Sequence, residues 1–482
     1  MIPVVGRRLL HQLAAAEATT LLPVTASRAY TTPSVQQQAE AATQAVAAAP
    51  RIVLQQQGEE GVSSSSSTTP TTSNSRPRWL EQLGVIRTDW TREEIAEVYH
   101  TPILDLVYNA ATVHRMYNDP QMVQRCTLLS IKTGGCPENC NYCSQSSHWD
   151  DTGVKAEKLL DLEPVYQAAL RAHQAGSTRF CMGAAWRGPS QIGPRQWQRV
   201  LDMVSKIRGL GMEVCTTLGM VTPEQASQLR EAGLTAYNHN LDTSPEYYSK
   251  VTTTRKYEDR LTTLKAVRDA GISVCAGGII GLGEGPQDRV GLIHQLATLP
   301  EHPESVPINR LVAIKGTPLG DTGIEPPSGL DLVRCIATAR VVMPATVVRL
   351  SAGRLNLSIA DQAMAFMAGA NSIFDGDKLL TTANNDRNED SIMFETLGLR
   401  SRPAFMPYAS GGESSRTFDS EAAAVEAMGG SGCKAPNEEA KRAPLNSQAM
   451  AAGVGAATEA SAAAAAQAAA SEGGCCGGGC KA

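Results

Sequence analysis

The chain has 482 residues, 42% of them hydrophobic, with a net charge of −5. Its middle contains no block of basic residues, so we do not expect a nucleic acid as a partner. The alanine-rich run at residues 462–470 is too short, and too closely flanked by polar residues and glycine, to span a membrane, so we expect no membrane partner either.

The first 75 residues differ in composition from the middle of the chain. They are poor in acidic residues, contain the serine run Ser63–Ser67, and carry four scattered arginines, Arg7, Arg8, Arg28 and Arg51. This composition predicts a cleavable transit peptide followed by a linker, with a merely disordered extension as the alternative.

A helical cap is predicted at residues 76–124. Thr91-Arg92-Glu93-Glu94 fits a capping box, in which the threonine and the glutamate three residues later each accept a backbone hydrogen bond from the other. Apolar residues then recur at helical spacing, namely Ile103, Leu106, Val107, Ala110 and Val113. We expect this apolar face to pack on the domain that follows.

Short apolar runs alternate with amphipathic segments over residues 125–408. The predicted strands are Arg125–Lys132, Arg179–Ala185, Glu213–Gly219, Ala236–Asp242, Ser273–Leu282, Val306–Ile314, Val347–Gly353 and Ser372–Gly376. The predicted helices are Glu163–Ala175, Arg195–Leu210, Pro223–Ala232, Lys256–Ala270, Pro286–Thr298, Gly329–Met343 and Ile359–Ala368. Eight strands, each separated from the next by one helix, predict an α/β fold of the (β/α)8, TIM-barrel type, with a six-stranded partial barrel as the alternative.

Residues 409–482 consist mainly of Ala, Gly and Ser, with almost no large apolar side chains. Such a segment cannot bury enough surface to offset chain entropy, so we predict a disordered tail. The whole chain has 12 cysteines, which indicates metal or redox chemistry rather than disulfides in a chain of intracellular character. Four of them lie in the tail, where we interpret them as unpaired thiols, with metal binding as the alternative: Cys433, Cys475, Cys476 and Cys480.

Three cysteines follow the first predicted strand directly. Cys136, Cys140 and Cys143 have the spacing C-x3-C-x2-C, with Tyr142 beside the last thiol. Iron–sulfur clusters are normally held by four cysteines, so three thiolates indicate a four-iron cluster with one iron open to a small molecule. The alternatives are a structural zinc loop, which would need a fourth ligand close by, or unrelated loop thiols.

Three further cysteines, Cys181, Cys215 and Cys275, fall within the second, third and fifth predicted strands. A single strand cysteine is usually a small buried packing residue. Three on separate strands of one barrel can converge on its axis, so the residues alone leave packing and metal binding equally open. Cys126 and Cys335 have no place in this set, and we interpret them as packing.

Polar side chains close the fourth predicted strand, in Tyr237–Asp242. Asn240 and Asp242 are two apart, so on a strand they would face the same way and could hydrogen-bond ribose hydroxyls or a urea. Asn and Asp are also frequent where strands end, so turn formation is an equal alternative.

The thiol loop resembles that of the radical S-adenosylmethionine (SAM) enzymes, and the stretch Cys136–Ser147 is similar to the biotin synthases, in particular those of eukaryotic organelles. The likeness runs from near Trp79 to near Thr382, through Tyr237–Asp242, Lys315–Leu319 and Val348–Arg354. It implies a radical SAM sulfurtransferase that inserts sulfur into dethiobiotin to form biotin. The alternatives are another radical SAM enzyme of this barrel family and a non-enzymatic iron–sulfur or zinc carrier.

The resemblance also implies the cofactors. A [4Fe-4S] cluster on Cys136, Cys140 and Cys143 would reduce bound SAM, and a [2Fe-2S] cluster on Cys181, Cys215, Cys275 and Arg349 would donate the sulfur. By residue type alone Arg349 would pair with an anion, because a guanidinium offers only hydrogen-bond donors. The catalytic residues implied are Cys136, Cys140, Cys143, Cys275 and Arg349.

Contacts to SAM and to the substrate are implied in the same way. The SAM contacts would be Tyr142, Ala184, Asn240, Asp242, Ile279 and Glu284, with Trp186 beside the methionine part. The substrate contacts would be Asn240 and Asn309, with Asn309 on the ureido ring.

The family further implies partners and a location. We expect an electron donor of the ferredoxin or flavodoxin type, iron–sulfur assembly proteins that rebuild the consumed cluster, and a homodimer. The predicted transit peptide indicates the mitochondrion, with the plastid as the alternative.

Overall fold

A computed structural model describes residues 76–406. The transit peptide and linker predicted at residues 1–75, the tail predicted at residues 409–482 and the four tail cysteines lie outside the described residues. Between residues 76 and 406, no helix combines the length and the apolar character needed to cross a bilayer.

Twelve α-helices occur in the described region. They are α1 (Arg78–Glu81), α2 (Arg92–His100), α3 (Ile103–Tyr117), α4 (Leu162–Gln174), α5 (Pro194–Arg208), α6 (Pro223–Glu231), α7 (Tyr248–Val251), α8 (Tyr257–Asp269), α9 (Pro286–Ala297), α10 (Gly329–Val342), α11 (Ile359–Met367) and α12 (Arg387–Leu397). All seven helices predicted between the strands are present, with ends that shift by a few residues.

The same region contains ten strands. They are β1 (Met122–Lys132), β2 (Arg179–Ala184), β3 (Glu213–Thr217), β4 (Ala236–Asn238), β5 (Ser273–Cys275), β6 (Gly278–Ile280), β7 (Ser305–Arg310), β8 (Val347–Leu350), β9 (Ser372–Phe374) and β10 (Arg400–Ser401).

The strands close into a parallel barrel. Strands β1 to β5 pair successively in chain order, as do β7 to β9, while β5 and β6 both pair with β7 and β1 pairs with both β2 and β9. Since β5 and β6 occupy one position, the barrel has eight strand positions, and the predicted (β/α)8 fold is confirmed. The short β10, which the sequence did not predict, pairs with the start of β1 at Met122 and Val123.

The fifth predicted strand is broken in the middle, between Cys275 and Gly278. The break lies opposite Pro307 of β7, which has no N–H to donate to a neighbouring strand. The chains also approach closely there, because a Cβ on Gly277 would lie 2.0 Å from the carbonyl oxygen of Pro307. Proline and glycine together therefore interrupt the ladder without opening the barrel.

The fourth strand is shorter than predicted and ends at Asn238. The chain then turns, and Asp242 has a φ of 67°, in the left-handed region that Asp tolerates better than most residues. The Arg260 guanidinium of α8 holds this turn by donating to the Asn240 carbonyl and to the Asp242 carboxylate. Asn240 and Asp242 therefore leave the strand before they reach the barrel mouth.

The helical cap precedes the barrel and packs on its outer helices. The capping box of α2 is confirmed, since Glu94 N donates to Thr91 Oγ1 at 3.1 Å and Thr91 N donates to Glu94 Oε2 at 3.0 Å. Helix α3 buries four of the five apolar residues predicted for its face and packs against α10. The cap thus covers one side of the barrel and leaves the strand ends open to ligands.

Candidate active site

A cavity of about 340 Å³ opens at the C-terminal ends of the barrel strands. In parallel α/β barrels this is the end where catalytic groups collect. The three loop thiols line it, together with two of the three strand thiols and Arg349: Cys136, Cys140, Cys143, Cys181 and Cys215. Two cysteine sets that lie far apart in the sequence therefore border one space.

Backbone hydrogen bonds fold the loop that carries Cys136, Cys140 and Cys143. Cys136 N donates to the Gln145 carbonyl at 2.8 Å, and Ser147 N donates to the Cys136 carbonyl at 2.7 Å. The loop leaves β1 through Gly134 at a φ of 67°, where a Cβ would lie 2.5 Å from the Lys155 carbonyl oxygen. Glycine is therefore required there both for its backbone angle and for the close approach.

Side chains between the cysteines anchor the loop to the segment after α7. The Glu138 carboxylate is buried, and accepts from Arg187 Nε at 2.6 Å and from the Thr254 hydroxyl. Asn139 Oδ1 accepts from Thr253 N at 2.9 Å and from Thr254 N at 3.2 Å. The loop is thus fixed by buried polar groups and does not depend on a metal for these contacts.

Arg255 contributes the positive charge nearest to this loop's thiols. Its Nη2 donates to Cys140 Sγ at 3.6 Å, and it lines the cavity. Arg255, Arg260 and Glu138 were not predicted, because each contacts partners more than 15 residues away in the chain, and Glu138 occupies a variable position of the thiol motif. The run of threonines before Arg255 gave no signal of its own.

Burial raises the pKa values of the three loop thiols. The pKa of Cys143 rises to about 12, and those of Cys136 and Cys140 rise as well, so these thiols need bound cations to become thiolates. In residues 76–406, no three Cys, His, Asp or Glu side chains are grouped closely enough to hold one metal ion.

Cys181, Cys215 and Cys275 converge inside the barrel, as metal binding by these three thiols would require. Cys181 and Cys215 are in register on β2 and β3, and Cys275 of β5 contacts Arg349, whose Nη1 lies 3.7 Å from its sulfur. Hydrogen bonding to Cys215, opposed by burial and assisted by the charge of Arg349, lowers the pKa of Cys275 to about 6. The pKa values of Cys181 and Cys215 are instead raised to about 12, so of the three strand thiols Cys275 is the one that favours the thiolate, the form that binds iron.

Arg349 lies against the strand thiols, as predicted. It is buried, and its Nη1 donates to Cys275 Sγ at 3.7 Å. Its Nε donates to Ser372 Oγ at 3.0 Å and its Nη2 to Gln124 Oε1 at 3.4 Å. A guanidinium fixed by neutral partners keeps its full charge for an anionic group in the cavity.

Cys126 is buried, as the packing prediction expects, and it also contacts Arg349. It belongs to one buried cluster with Cys181 and Cys215, and its sulfur accepts from Arg349 Nη2 at 3.5 Å. No signal in the sequence indicated the Arg349 contact, because it depends on closure of the barrel between β1 and β9. Cys335, on helix α10 and outside the strands, is buried in the main hydrophobic core, as packing requires.

The predicted ligand-contact residues mostly reach the cavity. Its lining includes Tyr142, Ala184, Trp186, Asn240, Asp242, Ile279 and Asn309. Asn240 and Asp242 do so from the turn after β4, and not from a shared strand face as predicted. The Asp242 carboxylate is paired with Arg260. Among residues 76–406, the Asn240 side chain forms hydrogen bonds only through its Oδ1, which accepts from Gly277 N at 3.2 Å.

Glu284 is the exception, because the structure does not bring it to the cavity lining. Its carboxylate turns back to accept from Gly281 N at 2.8 Å and pairs with Arg289 Nε at 2.8 Å. The φ of 100° at Gly281 folds the chain sharply enough for this contact. In the structure Glu284 therefore shapes the loop after β6 and does not face a ligand.

Comparisons with known proteins agree with this geometry. Residues 130–296 match the Radical SAM superfamily, and residues 307–400 match the Biotin and Thiamin Synthesis associated domain. The two matches together span the barrel from β1 to β10.

Relatives named as biotin synthases are 53% to 59% identical to this chain over the matched regions. The chain is 59% identical over 318 residues to "Biotin synthase, mitochondrial" of Arabidopsis thaliana, a match that covers 66% of this chain and 83% of the relative. It is 58% identical over 321 residues to "Biotin synthase" of Cytophaga hutchinsonii, covering 66% and 94%. For "Biotin synthase" of Schizosaccharomyces pombe the identity is 53% over 323 residues, covering 67% and 88%.

Solved structures support the fold. Methylornithine synthase (PylB) superposes with a TM-score of 0.55 at 18% identity, covering 65% of this chain and 94% of that one. The hydrogenase maturase HydG gives a TM-score of 0.55 at 18% identity, covering 64% and 71%. At this identity the two structures show a shared barrel and nothing about the reaction.

Proposed function

This chain belongs to the biotin synthase family, and from that premise we propose that its barrel cavity converts dethiobiotin to biotin by inserting one sulfur atom. One observation carries the proposal. The three loop thiols border the same cavity as two of the strand thiols and Arg349, so a SAM-binding cluster and a sulfur donor could act on one substrate between them.

The hard chemistry belongs to cofactors, because no side chain can remove hydrogen from a saturated C–H bond. When bound, a [4Fe-4S] cluster supplies the one-electron reduction of SAM, and a [2Fe-2S] cluster supplies the sulfur atom. The residues of the chain bind and orient these groups, hold the substrate between them and exclude water.

For the SAM cluster, Cys136, Cys140 and Cys143 would be the three ligands. Three thiolates leave one iron without a protein ligand, and that iron is where SAM would bind. Arg255, 3.6 Å from Cys140, would offset part of the negative charge that the thiolates bring into the barrel mouth.

For the sulfur donor, the ligands would be Cys181, Cys215, Cys275 and Arg349. These residues lie deeper in the barrel than the loop thiols, on strands β2, β3, β5 and β8. A buried guanidinium that contacts Cys275 would stabilise the anionic cluster, since an unpaired charge at that depth would cost several kcal/mol.

Between the two clusters, polar groups would orient the organic ligands. Asn240 retains an unpaired Nδ2 within residues 76–406, while its Oδ1 accepts from Gly277 N at 3.2 Å. Asn309 bonds the next residue along, with Nδ2 donating to the Gly278 carbonyl at 3.0 Å, and its Oδ1 accepts from Ala352 N at 3.2 Å. An amide fixed from both ends presents its remaining lone pair and N–H in one direction, as recognition of a ureido ring requires. Asp242, held by Arg260, would face the ribose hydroxyls of SAM.

A loop at residues 379–382 would exclude water from the reaction. Its four residues line the cavity, and the Thr381 hydroxyl lies 3.1 Å from that of Ser144 on the thiol loop. Leu380 packs so closely on Gly183 of β2 that a Cβ there would lie 2.5 Å from its Cδ2. A reactive intermediate formed below this loop would be shielded from solvent.

The proposal is tested by anaerobic reconstitution with iron and sulfide, followed by SAM, dethiobiotin and a reductant. We expect biotin, together with 5′-deoxyadenosine and methionine, and no biotin from a matched Cys140→Ala sample. If 5′-deoxyadenosine forms without biotin, the chain is another radical SAM enzyme. If neither forms although both clusters are present, the chain is a carrier.

We further propose a mitochondrial location, supported by the arginine-bearing, acid-poor residues 1–75 and by the similarity to a mitochondrial relative. The reaction also needs an electron donor of the ferredoxin or flavodoxin type, and iron–sulfur assembly proteins that rebuild the donor cluster. We propose these partners and a homodimer on the basis of family membership.

A further inference from the structure

We propose that Cys126 is a further ligand of the sulfur-donor cluster, able to take the coordination position of Cys181. The inference rests on the proposed function, because it concerns the cluster assigned to Cys181, Cys215, Cys275 and Arg349. It adds a fourth thiol to that site.

The thiols form a continuous row across the barrel. Cys126, Cys181 and Cys215 form one buried cluster, in which Cys181 and Cys215 lie directly opposite each other on β2 and β3. Arg349 contacts both ends of the row, with Nη2 3.5 Å from Cys126 Sγ and Nη1 3.7 Å from Cys275 Sγ. Four sulfurs and one guanidinium therefore enclose the same small region.

The surroundings of Cys126 are those of a ligand more than of a packing residue. Its side chain is fully buried, yet its sulfur faces Gln124 Oε1 at 3.5 Å, Ser372 Oγ at 3.7 Å and the Arg349 guanidinium. A cysteine that only filled space would be expected among apolar groups. Cys126 instead shares its charged neighbour, Arg349, with the proposed ligand Cys275.

Exchange with Cys181 preserves the chemistry of the site. Cys126 and Cys181 lie on paired strands β1 and β2, two positions apart in register, since Cys181 is opposite Leu128. Replacing one by the other keeps three thiolates, Arg349 and the same total charge. Cys215 has no such substitute, because its thiol neighbours, Cys181 and Cys275, are both already assigned as ligands.

The test is 57Fe Mössbauer spectroscopy of the full chain after anaerobic reconstitution, which counts the two cluster types separately in one sample. The variants are Cys126→Ala, Cys181→Ala, the Cys126→Ala/Cys181→Ala double variant, and Cys215→Ala. A Cys181→Ala/Cys335→Ala variant is the control, because Cys335 is a buried cysteine on an outer helix. The [4Fe-4S] signal reports that each variant has folded.

We expect Cys126→Ala, Cys181→Ala and the Cys335 control to keep the [2Fe-2S] signal. The Cys126→Ala/Cys181→Ala and Cys215→Ala variants should lose it by at least about tenfold, the smallest effect expected for a lost metal ligand. Loss in Cys181→Ala alone, or retention in the Cys126→Ala/Cys181→Ala variant, would overturn the inference. Absence of the signal from the unmodified chain, or retention in Cys215→Ala, would instead refute the proposed donor site itself.

Discussion

Nη1 of Arg349 lies 3.7 Å from the sulfur of Cys275, although their strands, β8 and β5, are separated by β7. The guanidinium spans that gap because both side chains point to the barrel interior, where the walls converge. A positive charge is thereby fixed beside a thiolate-forming group with no solvent between them. This pairing underlies the first prediction.

Cys275→Ala should abolish sulfur insertion while leaving SAM cleavage. It removes a thiolate from the donor site but does not touch the loop of Cys136, so biotin should fall by about 100-fold or more while 5′-deoxyadenosine still forms. Arg349→Lys should be milder, since an ammonium retains the charge. Both products are measured in one single-turnover assay, and ordinary biotin yields from Cys275→Ala with unchanged iron content would show that the strand thiols only pack.

Each of Cys136, Cys140 and Cys143 should be required before any SAM is cleaved. Three thiolates already leave one iron open, so losing another leaves too few ligands to hold the cluster. Single Cys→Ala variants should therefore form no 5′-deoxyadenosine, while Cys335→Ala, the control for loss of a buried thiol, should form it normally. Near-normal cleavage by any of the three loop variants would refute the ligand assignment.

Glu138→Gln should loosen the thiol loop. The change removes a buried carboxylate that pairs with Arg187 and lies near Arg255, and we expect a cost of about 2 kcal/mol, less than for a fully buried pair because Arg187 is 41% exposed. The melting temperature and the [4Fe-4S] content should both fall. The control is Asp161→Asn, which breaks the exposed pair with Arg199 and should change neither. Unchanged cluster content in Glu138→Gln would show that the loop holds its shape without this anchor.

Stability should depend on the protonation of His114 between the cap and the barrel. Burial first, and then the charges of Arg340 and Arg115, lower the pKa of His114 to about 2 in the folded chain, against about 6.5 when unfolded. Between these two pKa values the unfolded chain binds a proton at His114 that the folded chain does not bind. The stability that neutral His114 contributes is therefore largely present above about pH 6.5 and is lost as the pH falls. At pH 5 the loss is about 2 kcal/mol.

His114→Gln should remove the contribution of His114 to the pH dependence of the free energy of unfolding. Urea unfolding of the variant at pH 7 and at pH 5 should show a loss on acidification about 2 kcal/mol smaller than in the unmodified chain. His239 and His302, whose pKa values are also lowered by burial, keep the remainder of the slope. Equal slopes in the two proteins would contradict the prediction.

Residues 1–75 should direct import into mitochondria. Fused to a fluorescent protein, they should give a mitochondrial signal and a cleaved product, because arginine-bearing, acid-poor N-termini are typical of transit peptides. A fusion in which Arg7, Arg8 and Arg28 are replaced by Gln is the matched control and should stay in the cytosol. A diffuse signal from the unmodified fusion would contradict the assignment.

Local features could be predicted from the sequence because local spacing determines them. The capping box at Thr91, the apolar face of α3 and the eight strand positions all follow from periodicities of a few residues. The same is true of the thiol loop, since Cys136, Cys140 and Cys143 occur within eight consecutive residues and need no distant partner to be recognised.

Only the tertiary structure decided what depends on contacts across the barrel. Cys126 reaches the thiol row because the barrel closes between β1 and β9, and β5 is interrupted because Pro307, some thirty residues away, offers no N–H opposite it. Glu284 turns away from the cavity to Arg289, while Arg260 arrives from α8 to hold Asp242. Such pairings arise from strand register and closure, which bring together residues that no short stretch of sequence contains.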